Sequence, residues 1–368
     1  ARKEESALIA RCYDFDRKLM CEAEKAGGRD YAELCALAYR QAIHAHKLVK
    51  APNGDLLWLS KENNSNGSIG TVDVTYPSAP LFLLYNPALA EGLMNHIYYY
   101  SESGKWTKPF PAHDVGTYPI ANGQTYGGDM PVEEAGNMLS LTAAVCHYSG
   151  NAEYAAKHWE TMTTWTKYLE QFGLDPENQL CTDDFAGHFA HNANLSVKAI
   201  LGIASYGYMA DMLGKKDVAE EYLGKARKLA GEWVKMADDG DHYRLTFDKA
   251  GTWSQKYNLV WDKLLGLDIF PDDVRQKEIA YYLCKMNIYG LPLDSRETYT
   301  KTDWIVWTAT MADSEKDFQS FVAPVHKFMN ETVDRVPMSD WVFTDKPNYR
   351  GFKARSVVGG YFIKMLEN

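Results

Sequence analysis

The 368 residues contain no GxSxG elbow, no Walker A segment, no HExxH pair and no GxGxxG turn. An elbow-mounted serine nucleophile, a phosphate-cradling loop, a zincin site and a dinucleotide site therefore lose their usual sequence support. Cysteine is sparse: the six residues at 12, 21, 35, 146, 181 and 284 form no CxxC or Cys/His spacing able to hold zinc. They are too few for a disulfide scaffold, so free buried thiols are expected, with one disulfide among Cys12, Cys21 and Cys35 as the alternative. No run of about 18 apolar residues could span a bilayer. No Lys/Arg cluster stands out in a chain of net charge -10, which argues against a nucleic-acid partner, because phosphate contact needs clustered cations. No fixed-period repeat supports an open solenoid. No cofactor motif is present, and no metal-ligand set is named by spacing. The chain opens at Ala1 without a signal segment, and composition does not assign a compartment.

Apolar residues make up 46% and charged residues 24%, which suits a folded domain with a large core. Periodicity at three- and four-residue steps predicts twelve helices. They cover 7–24, 31–49, 81–100, 131–148, 151–172, 190–212, 217–237, 259–265, 272–286, 303–311, 315–332 and 352–366. Links near 27, 150, 214 and 313 are short. Those at 52–77, 101–130, 173–189, 239–258, 287–302 and 333–351 are long and polar. This alternation predicts an all-α fold, a single (α/α)6 barrel of six helical hairpins over residues 1–368, with the long loops gathered at one working end.

The chemistry-bearing residues cluster in or beside those loops. Pro131 suits a first helical turn, and Glu133, Asn137 and Ser140 then share one face of a largely apolar helix. A carboxylate on such a helix must be hydrogen-bonded or hold its proton more tightly, which makes Glu133 and Glu134 acid/base candidates; satisfying the helix start is the plainer role. Asp183 and Asp184 adjoin, and like charges so close need donors or a cation. One of them is a candidate base, anchor or ligand, the other an N-cap. Asp73 and Asp129 are the further candidates for a hard cation. Arg296 and Lys301 suit a substrate carboxylate, Arg for its planar fork. Asp303 and Trp304 open a helix, where cap and packing roles compete with function. Arg355 has a surface ion pair as its default and precedes Gly359-Gly360, where backbones can approach closely.

The segments Gly70–Pro77, Gly127–Met138 (reading GGDMPVEEAGNM), Thr182–Phe185, Leu291–Arg296 and Thr300–Trp304 resemble the glutaminase A family over nearly the whole chain. That resemblance implies a helical domain similar to the six-hairpin glycosidases and hydrolysis of L-glutamine by a secreted or periplasmic protein. Family members usually carry an N-terminal β-sandwich region as well, which is absent from this chain. The resemblance brings no established catalytic residue. For amide hydrolysis, Glu133 or Glu134 would pair with Asp183 or Asp184, Arg296 and Lys301 would grip the substrate carboxylate, and Asp73 or Asp303 would meet its ammonium. Further expected contacts with a small polar substrate come from Tyr126, Asp129, Asn137, Asp294 and Arg355. For glycoside hydrolysis the same acidic clusters would face across a sugar, with Tyr76, Tyr126 and Trp304 as platforms. A non-catalytic carbohydrate- or peptide-binding scaffold is the third class.

Overall fold

The structure is a computed structural model and describes residues 4–181, 183 and 187–367. Its first helix, α1 (Glu5–His44), is interrupted at Gly27 (φ −151°, ψ 17°) and Gly28 (φ 78°, ψ 178°), the latter a conformation open to glycine at little steric cost. The limbs double back on each other, so the Phe15 and Tyr39 rings meet with centroids 5.0 Å apart. Then follow α2 (Val72–Tyr85), α3 (Pro87–Gly92), α4 (Asn95–Glu102), α5 (Pro131–Ser149), α6 (Glu153–Lys157) and α7 (Trp159–Phe172). After these come α8 (Ala193–Met212), α9 (Lys216–Ala237), a 3-10 turn (Tyr257–Leu259) running into α10 (Val260–Leu265), α11 (Asp272–Leu283), α12 (Thr302–Thr310), α13 (Glu315–Glu331) and a C-terminal 3-10 helix (Ser356–Glu367).

Burial patterns separate two layers. α8 is buried almost all round, as an inner helix must be, whereas α9 buries only the stripe Ala219, Tyr222, Ala226, Ala230, Trp233 and Ala237 at three- and four-residue steps. The inner elements α2, α5, α8, the Tyr257–Leu259 turn with α10, α12 and the C-terminal 3-10 helix each touch the next, and the last touches α2. The ring is closed. Its outer layer is the second limb of α1, α3 with α4, α6 with α7, α9, α11 and α13, which completes an (α/α)6 toroid. Closure depends on small residues: a Cβ on Gly359 would lie 2.7 Å from the Ser78 carbonyl oxygen, and one on Gly360 2.7 Å from that of Pro77.

The twelve expected helices correspond to the six inner and six outer positions of the ring through two offsetting differences. The first limb of α1 is an additional helix outside the ring. The helix expected after Pro80 instead begins at Val72, and Asn86 divides inner α2 from outer α3 and α4. Two small sheets were not expected, most of their strands lying in segments read as loops. β1 (His46–Lys50) pairs antiparallel with β2 (Leu56–Ser60), and β3 (Tyr299–Lys301), β4 (Ser339–Phe343) and β5 (Tyr349–Lys353) form an antiparallel sheet. The reading of 31–49 as one helix ran past His44 because Leu48 and Val49 mimic a continuing stripe; both are exposed on β1. All six cysteines are free thiols. Cys35, Cys146 and Cys181 are buried as expected, but Cys12, Cys21 and Cys284 are exposed. No helix among the described residues is long and apolar enough to cross a membrane.

The six long connections join one another at one end of the ring, through pairs such as Ser68 with Thr117, Asn192 with Thr246, Ser254 with Asp294 and Tyr299 with Phe343. The Asn63 side chain, donating to the Ala354 carbonyl at 2.8 Å, links the first to the last. Gly359→Ala should cost about 1–3 kcal/mol, because the clash is with backbone that cannot swing away. Gly231→Ala, on α9 with nothing within 4 Å of a new Cβ, should instead stabilise by up to about 1 kcal/mol. Urea denaturation of the two proteins checks this, and an undiminished Gly359→Ala midpoint would refute the close-packed closure.

Candidate active site

Pro131 at the first turn of α5 fixes the start of the helix, so Glu133 and Glu134 fall in that turn, where carboxylates meet the positive end of the helix dipole. Both are buried. Lys198 of α8 forms an ion pair with Glu133. The two helices approach this closely because Gly136 and Gly202 face each other: a Cβ on Gly136 would lie 2.6 Å from Lys198 Cγ, and one on Gly202 3.2 Å from Gly136 Cα. The Lys198 ammonium also lies 4.3 Å from the Tyr76 ring centroid, a cation–π contact. Asn137 donates through Nδ2 to Glu133 Oε1 and Glu134 Oε2, both at 3.1 Å. Glu134 Oε1 receives no hydrogen bond among the described residues. Burial, reinforced by the charges of Asp73 and Glu133, holds the Glu134 pKa well above the ordinary carboxyl range.

Asp183 faces the same charges from the 173–192 connection. Tyr257 Oη donates to its Oδ2 at 2.9 Å and Trp304 Nε1 to its Oδ1 at 3.2 Å. The two donor rings are stacked, with centroids 4.0 Å apart and planes 1° off parallel, so the pair is a rigid clamp. Burial raises the Asp183 pKa to about 7; the Tyr257 bond opposes this and the Glu133 charge adds to it. A carboxyl so placed can hold or release a proton near neutral pH.

A third group forms around His113. Its Nδ1 lies 2.9 Å from Asp114 Oδ2, and its Nε2 lies 3.6 Å from Oδ1 of Asp73, in the first turn of α2. Asp114 also accepts the backbone N–H groups of Gly116, Thr125 and Tyr126 at 2.8, 3.0 and 3.1 Å. The Tyr126 ring stacks on the imidazole at 4.1 Å. Burial works against a charge on His113, but the Asp114 bond and the Asp73 charge outweigh it and raise its pKa.

A fourth group lies at the β3–β4–β5 sheet. Lys301 is buried between Asp340, at 2.7 Å, and Asp303, at 3.5 Å. Burial raises the Asp303 pKa to about 6 against the pull of Lys301. Arg355 approaches Glu62 at 3.5 Å. At the exposed lip, Arg296 forks onto Asp294 through Nε at 2.9 Å and Nη2 at 2.6 Å.

The structure thus brings Asp73, Glu133, Glu134, Asn137 and Asp183 into one electrostatic neighbourhood, with Lys301, Asp303 and Arg355 beside it. It places several other candidates differently. Tyr76 and Trp304 are fully buried, their polar atoms taken by Asn258 and Asp183, so neither offers an open face to a sugar. Lys301 meets two carboxylates, which leaves it little charge for a substrate acid. Asp129 is held by Lys108 and Gln124 on the loop above. Asp184 lies outside the described residues. Sequence reasoning missed Lys198, although a single lysine in the apolar run of α8 was a legible signal. It left His113 and Asp114 as mere polar density. Tyr257, Asp340 and Glu62 had no distinguishing pattern.

The family description "Glutaminase A six helical-hairpin domain" matches residues 28–365. Glutaminase A of Aspergillus oryzae is 34% identical over 98% of this chain; the chain spans about half of that protein, 54% of its length. Among solved structures, a glycosidase in complex with glucose superposes with a TM-score of 0.64 at 11% identity, over 92% of this chain and 96% of that one. A metal-independent alpha mannosidase of Streptococcus pneumoniae does so at 0.61 and 12%, over 95% and 96%. At such identities the likeness is one of fold.

Asp183 supplies a pH test. Unfolded, it ionises near about 3.9; folded, near about 7. Between these values the folded chain holds the extra proton, so this group's contribution to stability declines as pH rises through that window. Asp183→Asn should flatten the dependence of Tm on pH between about 4 and 7, and an unchanged slope would contradict the shift.

Proposed function

The chain belongs to the glutaminase A six helical-hairpin family, and on that premise we propose that it hydrolyses a small polar amide, with L-glutamine the first substrate to test. The observation that carries this reading is Asp183: a clamped carboxyl with a pKa of about 7, set opposite the Glu133–Lys198 ion pair. Amide hydrolysis needs water to add to the carbonyl carbon and a proton to reach the departing nitrogen, because ammonia leaves far more readily than its anion. In its acidic form Asp183 delivers that proton; ionised, it takes one from the attacking water. The Glu133–Lys198 ion pair sets the local field. Arg296, exposed and already forked onto Asp294, would offer a substrate carboxylate only the part of its guanidinium that this pair leaves over.

Glycoside hydrolysis is the second reading, supported by the fold shared with the glucose-bound glycosidase. It would use Asp183 as the acid on the leaving oxygen. Buried Tyr76 and Trp304 count against an open aromatic groove.

Ammonia release from L-glutamine by the purified chain should fall about 10²–10⁴-fold in kcat in Asp183→Asn, with a smaller change in KM and loss of the pH limb near 7. Full turnover in that variant would remove Asp183 from the mechanism. Reducing-sugar release from an oligosaccharide panel, without ammonia from glutamine, would favour the second reading.

A further inference from the structure

Asp73, His113 and Glu134 come from three separate elements: the first turn of α2, the 103–130 connection and the first turn of α5. One ligand-type atom from each lies within 4.8 Å of the other two, and all three side chains are buried. Three features distinguish the group from a chance gathering of acids. The imidazole Nδ1 is engaged by Asp114, itself fixed by three backbone N–H groups, which leaves Nε2 as the nitrogen turned toward Asp73. A carboxylate that orients a histidine in this way is the usual outer partner of a metal-binding imidazole. Second, Glu134 is fully buried, yet its Oε1 receives no hydrogen bond among the described residues, while Asn137 takes its Oε2. An acceptor in that position calls for a donor or a cation. Third, Asp73 Oδ1 and His113 Nε2 are 3.6 Å apart. That is too long for a good hydrogen bond, but close to the roughly 3.4 Å between two ligands of one tetrahedral ion bound at about 2.1 Å.

We infer that Asp73, His113 and Glu134 form a binding site for one divalent transition cation of the zinc or manganese class. One imidazole nitrogen with two carboxylate oxygens suits such an ion: the donors are too hard for copper(I), and the nitrogen is foreign to calcium. Two carboxylates balance the double charge. Three protein ligands leave at least one coordination position for water or a substrate oxygen. The metal-independent mannosidase shares 12% identity with this chain, so its site carries no information about these three residues. The inference goes beyond the hydrolase reading and does not rest on it.

Direct binding tests it without recourse to activity. The chain, stripped with a chelator and dialysed, is titrated calorimetrically with zinc chloride and with manganese chloride. One equivalent of zinc or manganese should bind. Glu134→Gln and Asp73→Asn should weaken binding by more than about 100-fold, and Asp114→Asn by about 10–100-fold. Near-UV circular dichroism confirms that each variant is folded. If a substitution unfolds the chain, the ¹⁵N shift of His113 Nε2 on adding zinc to the unaltered protein decides instead, and it should move. Neither ion binding to the folded, stripped chain would overturn the inference. So would stoichiometric binding indifferent to both carboxylate substitutions, which would assign the ion elsewhere, for example to the exposed His191–Asp175 pair.

Discussion

Burying an ammonium and a carboxylate costs several kcal/mol per ion unless each meets its partner at close range. Lys198 and Glu133 meet this condition at the crossing of α8 and α5, and only because Gly136 and Gly202 carry no side chain between the two helices. Much of the site follows from that contact. The Glu133 charge of this pair falls on Glu134 and Asp183 and helps raise the pKa of each. Neither neighbour can ionise freely in the same field, so protons are held where the buried carboxyls converge. Removing one partner would leave the other charge stranded, at about 3–5 kcal/mol. Packing of two glycines thereby becomes a statement about proton affinity.

The ring itself was legible because helical periodicity is a strong local signal, and because long polar loops alternate with short links along the whole chain. Of the inner helices, α5 was also legible as a largely apolar run, whereas the first turns of α2 were hidden in a segment read as loop. The strands were not: β1 was absorbed into the helix read over 31–49, and β3, β4 and β5, each five residues or fewer, lie mostly in segments already marked as irregular. The site divides in the same way. Glu133, Glu134 and Asn137 could be read from helical spacing behind Pro131. Tyr257, Asp340 and Glu62 reach the site through long-range folding alone, and no pattern in their neighbourhoods sets them apart. Lys301 shows the opposite limit: its residue type suggested a free cation, but the strand pairing that brings Asp340 beside it lies beyond any local reading.

The fold assigns its tasks to opposite ends. Gly150, Gly214 and Gly266 close the tight links on one side with positive φ, and a Cβ at any of them would meet open space. The other end carries the long connections, and those supply His113, Asp114, Asp183, Arg296, Lys301 and Asp340. Inner helices contribute their N-terminal turns, through Asp73, Glu133, Glu134, Asn137, Lys198 and Asp303. A ring of this kind can change its chemistry by changing loops while the packing beneath is untouched, which accords with glutaminase-family and glycosidase chains sharing one architecture at 11–12% identity.

The seam between α2 and the C-terminal 3-10 helix also sets a schedule. Ser78 and Ser356 share a hydrogen bond across 278 residues of sequence. Almost every side chain of α2 is buried in the finished ring, yet the element that completes its cover is made 278 residues later. At about 5–20 residues per second, the nascent chain must carry that apolar helix incompletely covered for roughly a quarter of a minute to a minute. An interval of exposure is therefore built into the order of its helices, and it ends only when the 3-10 helix that closes the seam arrives.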